Sequence, residues 1–554
     1  MTRSITTPAP SLPKPALRRT HISLPDALSR RPRWLAERVR DEWVIVLLAV
    51  LISACAYGWY ASRGVTFGYA DALSRMEIAR RVLVSRTPGL AQLGTTWLPL
   101  QPMMMMLLIW NNTLFHDGFA GSFPSMVAYV IASLYMYRIM RLLFAPRAAA
   151  WVAALVFMLN PNVAYMQSTA MSEVPMIATA VVAIYYMLVW ARSYHALDLV
   201  KSALAVAAGT AIRYDGWPLA FAFAALVFYL GWRQRGFLGA QAWSILYSLL
   251  AFSGCVAWVI YNQLIFHDAL LFIYFGNSSN TLNLAGVPSY HNAGLSFEMY
   301  GYAAGAMVGW VTTALAAVGL IVFMAIYRLQ ARMLPVYGLL IPFAFYWLTF
   351  FLGWDTILLP QLGANQYWNA RFGLQLVPFM AFFVGYLAAW PGTLWRRIFV
   401  ALSLGVTVFF AVANSTVQTP FIRQEPLQDA RGVSSKVVAD WLVKNYHGGN
   451  VLINYLTDAP EMFYMMQRIP DDSFITDANG WQYTHALQYP QLSVTWIVME
   501  NNSSNQIWVT LHNRTVLQKY FVLRAVVGNT LYYQRKLTRP ETSSRSPEPS
   551  GGVT

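Results

Sequence analysis

Charge is scarce in this chain. Of its 554 residues, 39 are Lys or Arg and 24 are Asp or Glu, 11% in all. Soluble globular domains carry about 25%, so that class is excluded. Cysteine is scarcer still. Cys55 and Cys255 both lie inside apolar runs, where a thiol behaves as a small hydrophobe, and no disulfide framework or metal cluster follows from them. The inner side carries no glycine-rich phosphate loop. The shortage of acid leaves a net charge of +15, but the basic residues fall in short clusters between apolar runs. That is a topology signal, and no nucleic-acid partner is expected.

What the chain has is hydrophobicity: 57% of residues, with a mean hydropathy of +0.42. Runs approaching the roughly 20 residues that cross hydrocarbon recur between 42 and 414. They predict an all-α polytopic membrane domain of about eleven transmembrane helices, followed by a small extracytoplasmic α/β domain. The spans are expected at 42–61, 123–143, 148–164, 173–191, 199–213, 215–231, 238–262, 300–326, 333–352, 370–389 and 396–414. Residues 1–41 read as a disordered basic tail, 62–122 as a long first outer loop, 420–537 as the outer domain and 538–554 as a second disordered tail.

One apolar stretch, 97–115, decides the topology. Laid on the outer surface, it places the basic tail, Arg138, Arg141, Arg147, Arg192, Lys201, Arg233, Arg235, Arg328, Arg332, Arg396 and Arg397 on the inner side, as the positive-inside rule asks. The N-terminus is then cytoplasmic and the C-terminal domain extracytoplasmic, in a membrane of bacterial inner or plasma type. Five arginines, Arg63, Arg75, Arg80, Arg81 and Arg86, remain in the outer loop against the rule. Charge on the wrong side points to function.

In the outer domain, 433–446 is an amphipathic helix with Val437, Val438, Trp441 and Leu442 on one face. VLINYL (451–456) and VTWIVM (494–499) read as strands, and Gly528-Asn529 as a hairpin turn in FVLRAVVGNTLYYQRK. No nucleophile and base stand at suggestive spacing, so a structural or acceptor-docking role is expected.

Functional ionisable groups of a polytopic protein sit where hydropathy does not explain them. Asp71 opens a probable helix in FGYADALSRMEIARRV. It is either an N-cap, with Asp71–Arg75 and Glu77–Arg81 as four-apart pairs, or a general base toward a bound hydroxyl. GTTWLPLQPMMMMLLIW combines Trp97 and Pro99 with an interfacial run, and its methionines read as packing. Glu173 starts a span, either complementing a helix dipole or binding an acceptor or a cation; a divalent cation is the one cofactor left open. In AIRYDGWP, Arg213 and Asp215 lie in an outer turn whose 15-residue arm rises only about 22 Å, short of the roughly 30 Å of hydrocarbon. They are either a structural pair or part of a sunken site for a lipid-linked phosphate, which suits a planar, permanently charged guanidinium. Arg371 begins a late span at its outer end, either snorkelling to headgroups or contacting an anionic substrate.

Together these features resemble the GT-C superfamily of multi-spanning glycosyltransferases that use polyprenyl-phosphate sugars. It includes protein O-mannosyltransferases, aminoarabinose transferases and oligosaccharyltransferases. The resemblance covers roughly 42–414. It implies that Asp71 is the catalytic base, that Leu98-Pro99-Leu100 precedes a surface helix, that Glu173 is the acidic residue of the second outer loop, and that Arg371 is the arginine of a late span. Ala72 follows Asp71 where many relatives pair two acids, and Trp97 stands where many carry His. The implied reaction is inverting transfer from a polyprenyl-phosphate sugar donor to an extracytoplasmic acceptor. Arg213 and Arg371 would bind the donor phosphate, with Arg75, Trp97 and Asp215 in support and no metal ligands assigned. A lipid-linked-glycan transporter or flippase and a non-catalytic envelope-assembly protein are the alternatives.

Overall fold

The computed structural model describes residues 33–273, 288–390, 392–414, 420–429 and 434–536. The expected tails lie outside these residues, except that 33–41 is already helical. The chain forms two compact units, Met1–Val44 and Ile45–Thr554. The described part of the first is the start of α1 (Arg33–Ala61), and the site lies wholly in the second.

The first loop holds α2 (Ala70–Leu83), α3 (Leu100–Ile109) and α4 (Asn112–His116). The body continues with α5 (Phe119–Leu143), α6 (Arg147–Met158), α7 (Pro161–Met166), α8 (Glu173–Ser193), α9 (Ala196–Thr210), α10 (Gly216–Ala251) and α11 (Ser253–Phe266). Later helices include Ala293–Val308, Trp310–Tyr327, Leu334–Leu352, Ala370–Leu387 and Thr393–Val412. Among the described residues seven helices are long and apolar enough to cross a membrane, and the bent α10–α11 pair makes up to eight. This is an integral membrane protein, helical in its body as expected.

Every expected span lands on helix, but not every one is a full crossing. The stretch 148–164 ends at Met158, because the Asn160 side chain caps a new turn, accepting from the Asn162 and Val163 N–H at 2.9 and 3.1 Å, with Pro161 in the first helical position. The stretch 300–326 is broken at Gly309, whose φ of 83° a side chain rarely adopts. Around Gly236 the chain reverses inside α10, bringing Gly231 against the Ala240 backbone, so the hairpin expected there is present. At 10 residues α3 rises about 15 Å. That is half of a hydrocarbon thickness, too short for α3 to cross by itself.

Helix Ala370–Leu387 is buried along its apolar window, whereas Thr393–Val412 is almost wholly exposed to its surroundings. The former is the central helix, and it carries Arg371 at its N-terminal end.

The C-terminal part builds one five-stranded sheet from β1 (Val451–Leu452), β2 (Phe474–Ile475), β3 (Trp496–Glu500), β4 (Phe521–Val527) and β5 (Thr530–Arg535). The order is β2-β1-β3-β5-β4, with β1 parallel to β2 and β3, and β5 antiparallel to β3 and β4. The Gly528-Asn529 hairpin is as read. VLINYL yields only two strand residues, since Tyr455 already opens a helix, Tyr455–Met465, with its N–H on Asp477. On helix Ser435–Asn445, Val438 and Leu442 are buried, but Val437 faces out.

Candidate functional site

Three segments distant in sequence meet at one end of the helical body. Asp71 is the second residue of α2, whose cap is Tyr69 without a side-chain capping bond. The N-cap reading of Asp71 therefore does not hold. Its Oδ2 accepts from Arg371 Nη2 at 2.6 Å. Arg75 turns away from Asp71 to Gln101 Oε1, at 3.2 Å, and its guanidinium lies 4.5 Å over the Trp97 ring. Gln101 is anchored in turn on the Ala170 carbonyl at 2.7 Å. Among the described residues the ion pairs of α2 are Asp71–Arg371 and Arg80–Asp471, rather than the expected four-apart pairs.

Arg371 is positioned by close packing. Asn369 takes a left-handed conformation, and Gly373 lies so near the helix Ala293–Val308 that a Cβ would sit 2.6 Å from the Ala303 carbonyl carbon. The segment can press inward only because residue 373 has no side chain. Arg371 is thereby buried, with 10% of its side chain exposed, and does not snorkel. Its Nη1 donates to Glu425 Oε1 at 3.1 Å, and its Nε lies 3.3 Å from Glu173 Oε1. Tyr69 covers its face, 5.1 Å from ring centre to guanidinium.

Arg213 completes the cluster from the tight turn between α9 and α10. Its Nη1 donates to Glu173 Oε1 (2.9 Å) and Ser172 Oγ (3.1 Å), its Nε to Asp215 Oδ2 (3.1 Å), and its Nη2 to the Tyr346 hydroxyl (3.0 Å). Tyr346 donates to Asp215 at 2.8 Å. Glu173 thus links both arginines through one oxygen, while its Oε2 has no hydrogen-bond partner among the described residues. Three guanidinium groups and four carboxylates share this volume: Arg75, Arg213 and Arg371 with Asp71, Glu173, Asp215 and Glu425.

Exposure separates the carboxylates. Glu173, Asp215 and Glu425 expose 0, 3 and 5% of their side chains, and Asp71 34%. A further carboxyl, the half-buried Asp355, lies in the loop before Arg371. It accepts from the Thr356 N–H at 2.8 Å and Asn369 Nδ2 at 3.1 Å. Burial pushes it up to about 6, against these hydrogen bonds and the pull of Arg371 and Arg213. Burial likewise brings the Arg75 guanidinium down to about 10, against the attraction of Asp71 and Glu173.

All seven residues singled out from the sequence fall in or beside this cluster. Glu425, Tyr346, Gln101, Ser172 and Asp355 were missed. Of these only Asp355, a lone carboxylate between apolar runs, carried a signal of the kind that marked Arg371. Among the described residues no group of three or more His, Cys, Asp or Glu side chains is placed to hold a metal ion.

The other loop arginines do different work. Arg80 binds Asp471 at 2.8 Å, the Ile109 carbonyl at 3.1 Å and Asn112 at 2.7 Å. Arg81 lies 3.5 Å over the Tyr455 ring. Arg86 donates to Gln482, Asn450 and the Asp472 carbonyl. These three arginines fasten the first loop to the C-terminal sheet region.

With this geometry in view, comparison with known proteins finds one family model, dolichyl-phosphate-mannose-protein mannosyltransferase, matching residues 100–261. That segment is similar to a glycosyltransferase family. It begins at α3 and ends within α11, and so takes in Gln101, Glu173, Arg213 and Asp215. It agrees with the resemblance read from the residues: the chain is similar to polytopic glycosyltransferases of the GT-C class. No curated protein matches by sequence. Among solved structures, ArnT from Cupriavidus metallidurans bound to undecaprenyl phosphate is 11% identical with a TM-score of 0.49, covering 90% of this chain and 98% of its own. The archaeal oligosaccharyltransferase AglB from Archaeoglobus fulgidus, in complex with an inhibitory peptide and a dolichol-phosphate, is 12% identical with a TM-score of 0.39, covering 90% of this chain and 75% of its own.

Proposed function

We propose that the protein transfers a sugar from a polyprenyl-phosphate carrier to an extracytoplasmic acceptor, with inversion at the anomeric carbon. The observation that carries this reading is the contrast within one charge cluster. Three carboxylates are buried on arginines, and the fourth, Asp71, keeps a third of its side chain accessible while Arg371 fixes its Oδ2 at 2.6 Å. That is the arrangement a general base needs. It is oriented by a cation on one oxygen and open to a substrate hydroxyl on the other.

In the proposed step Asp71 takes the proton of the acceptor hydroxyl as that oxygen bonds to the anomeric carbon. The bond from the anomeric carbon to the phosphate oxygen breaks, and its electron pair leaves on the phosphate. Arg371 and Arg213 stabilise that charge, in a place where water is largely excluded and each charge-assisted hydrogen bond contributes about 1.5 to 3 kcal/mol. Arg75, held between Gln101 and Trp97, supports the site from the side of α2. The lipid nature of the donor is supported by the apolar body in which Arg213 and Arg371 are set, and by the family of the matching segment.

Asp71→Asn tests this. With the capping role excluded, the change removes proton acceptance and weakens one contact to Arg371. Single-turnover transfer from a purified lipid-linked donor is expected to fall by about 10² to 10⁴, with the protein still folded. Activity within a few-fold of wild type would refute Asp71 as the base.

A further inference from the structure

The C-terminal sheet region carries a row of aromatic rings that the proposed transfer does not use. On the helix Trp481–Gln488 and the residue that ends it, Trp481, His485 and Tyr489 stand four apart, and so share one face. Their rings adjoin, with centroids 6.3 Å apart from Trp481 to His485 and 5.5 Å from His485 to Tyr489. Trp481 is 74% exposed and Tyr489 49%. Packing accounts for the opposite side of this helix, where Tyr483, Ala486 and Leu487 are buried. It does not account for a line of rings left in the open, since exposed apolar side chains are ordinary when scattered and informative when contiguous. Thr484 and Gln488, on the same helix, are exposed as well.

The chemistry of the row selects its occupant. An aromatic face is apolar and electron-rich, so it suits the C–H face of a sugar ring. The hydroxyl of Thr484 and the amide of Gln488 can both donate and accept, as sugar hydroxyls require. The helix, WQYTHALQ, holds no Lys, Arg, Asp or Glu, so a charged ligand finds no counter-ion on it. A helix lying on a membrane would carry Lys or Arg on its polar face. A protein partner needs more surface: even fully exposed, an aromatic side chain contributes about 150 to 250 Å², and a row one side chain wide falls short of the roughly 800 Å² per partner of a stable interface. Position agrees with this choice. The row starts at the junction with the first loop, which bears Asp71. There Arg86 donates to Gln482 at 3.0 Å, Gln92 Nε2 to the Ala478 carbonyl at 3.1 Å, and Asn479 Nδ2 to Thr87 Oγ1 at 2.9 Å. The exposed face is thus continuous, at its Trp481 end, with the interface between loop and sheet region.

We infer that this row is a docking strip for a neutral glycan chain, and that the acceptor of the proposed transfer is an oligosaccharide whose body rests on Trp481, His485 and Tyr489 while its end enters the site. Eight residues of helix span about 12 Å, so the strip holds more than one sugar unit in line. A contact this far from the reacting atoms is the same before and during transfer. It therefore lowers the acceptor's KM without raising kcat, and a docked chain raises the effective concentration of its own end at the site.

This inference rests on the proposed glycosyl transfer, and the experiment separates the two. Calorimetric binding of three neutral series, fragments of a mannan, a glucan and a galactan from disaccharide to hexasaccharide, is measured on the full-length purified protein. Wild type should bind at least one series, with affinity rising from disaccharide to hexasaccharide as successive rings are covered. Trp481→Ala and Tyr489→Ala should each weaken hexasaccharide binding about tenfold, and Trp481→Phe, which keeps a ring, only about two- to threefold. Undecaprenyl phosphate binding on the same samples reports that the variants are folded. No binding by wild type in any series, or binding unaffected in both alanine variants, would overturn the strip and leave transfer through Asp71 intact. Row-dependent binding by a protein that moves no sugar from a lipid-linked donor would uphold the strip and overturn the transfer reading. The membrane is tested as the rival occupant with a nitroxide on Thr484→Cys, in a Cys55→Ser, Cys255→Ala background reconstituted into phosphatidylglycerol–phosphatidylcholine vesicles. Stronger collision with oxygen than with a water-soluble nickel chelate would place this face in lipid and overturn the inference; the reverse order supports it.

Discussion

Replacing Arg213 with Lys isolates what a planar fork does at this site. The guanidinium serves four partners: Asp215 on Nε, Glu173 and Ser172 on Nη1, and Tyr346 on Nη2. An ammonium keeps the charge but has a single nitrogen, so it can sit between Glu173 and Asp215 or beside one of them, and cannot reproduce all of these contacts. Tyr346 still donates to Asp215 and Arg371 still lies 3.3 Å from Glu173, so neither carboxylate is abandoned. The loss is then about two charge-assisted hydrogen bonds. At about 1.5 kcal/mol each, the lower end of their range, this is roughly 3 kcal/mol, equivalent to about 150-fold. The expectation is a clearly lowered thermal midpoint in detergent and a fall of about two orders of magnitude in single-turnover transfer efficiency. Saturating donor should recover only part of it, since the contacts also stabilise the leaving phosphate. A Lys variant as stable as wild type, using donor within a few-fold, would show that charge alone suffices and would refute the fork argument.

Two further outcomes follow from the same contacts. Arg80→Ala breaks a pair whose members are 7% and 6% exposed, which should destabilise the loop–domain junction by about 3 to 5 kcal/mol; limited proteolysis should then cut between the helical body and residues 434–536 faster than in wild type. Asp355→Asn tests the raised carboxyl. Between about pH 4 and 6 the folded protein holds a proton that the unfolded chain has lost, so this residue's contribution to stability declines as pH rises through that window. The Asn variant should accordingly match wild type below pH 4 and melt higher at pH 7, and an identical pair of melting curves across the range would contradict the assignment.

The sequence made the helical body legible because membrane spans announce themselves by length and apolarity. It made much of the cluster legible because charged groups such as Arg213 and Arg371 sit where lipid-facing chemistry does not want them. It failed where burial is decided by a distant segment. Glu425 lies in polar sequence that looks like any linker, and only the fold brings it 3.1 Å from a residue 54 positions earlier. Tyr346 is one aromatic in an apolar run, and nothing local distinguishes it. The loop arginines carried a true signal with a mixed meaning. Arg75 joins the charge cluster, while Arg80, Arg81 and Arg86 hold the C-terminal sheet region, whose position hydropathy does not encode. The missing Asp71–Arg75 pair of α2 shows the same thing, since Asp71 binds Arg371 and Arg75 binds Gln101 instead.

The spacing of these partners along the chain also bears on biosynthesis. Glu173, with none of its side chain exposed, meets Arg213 only 40 residues after it is made, whereas Asp71 waits 300 residues for Arg371. At about 5 to 20 residues per second that wait is roughly 15 to 60 seconds. The carboxylate that must enter the apolar interior acquires its counter-ion almost at once, and the one left to wait is the one that can remain in water. A ribosome stalled before residue 371 would therefore leave an inserted body whose deepest charge is already neutralised and whose most exposed carboxylate of the cluster is still unclaimed.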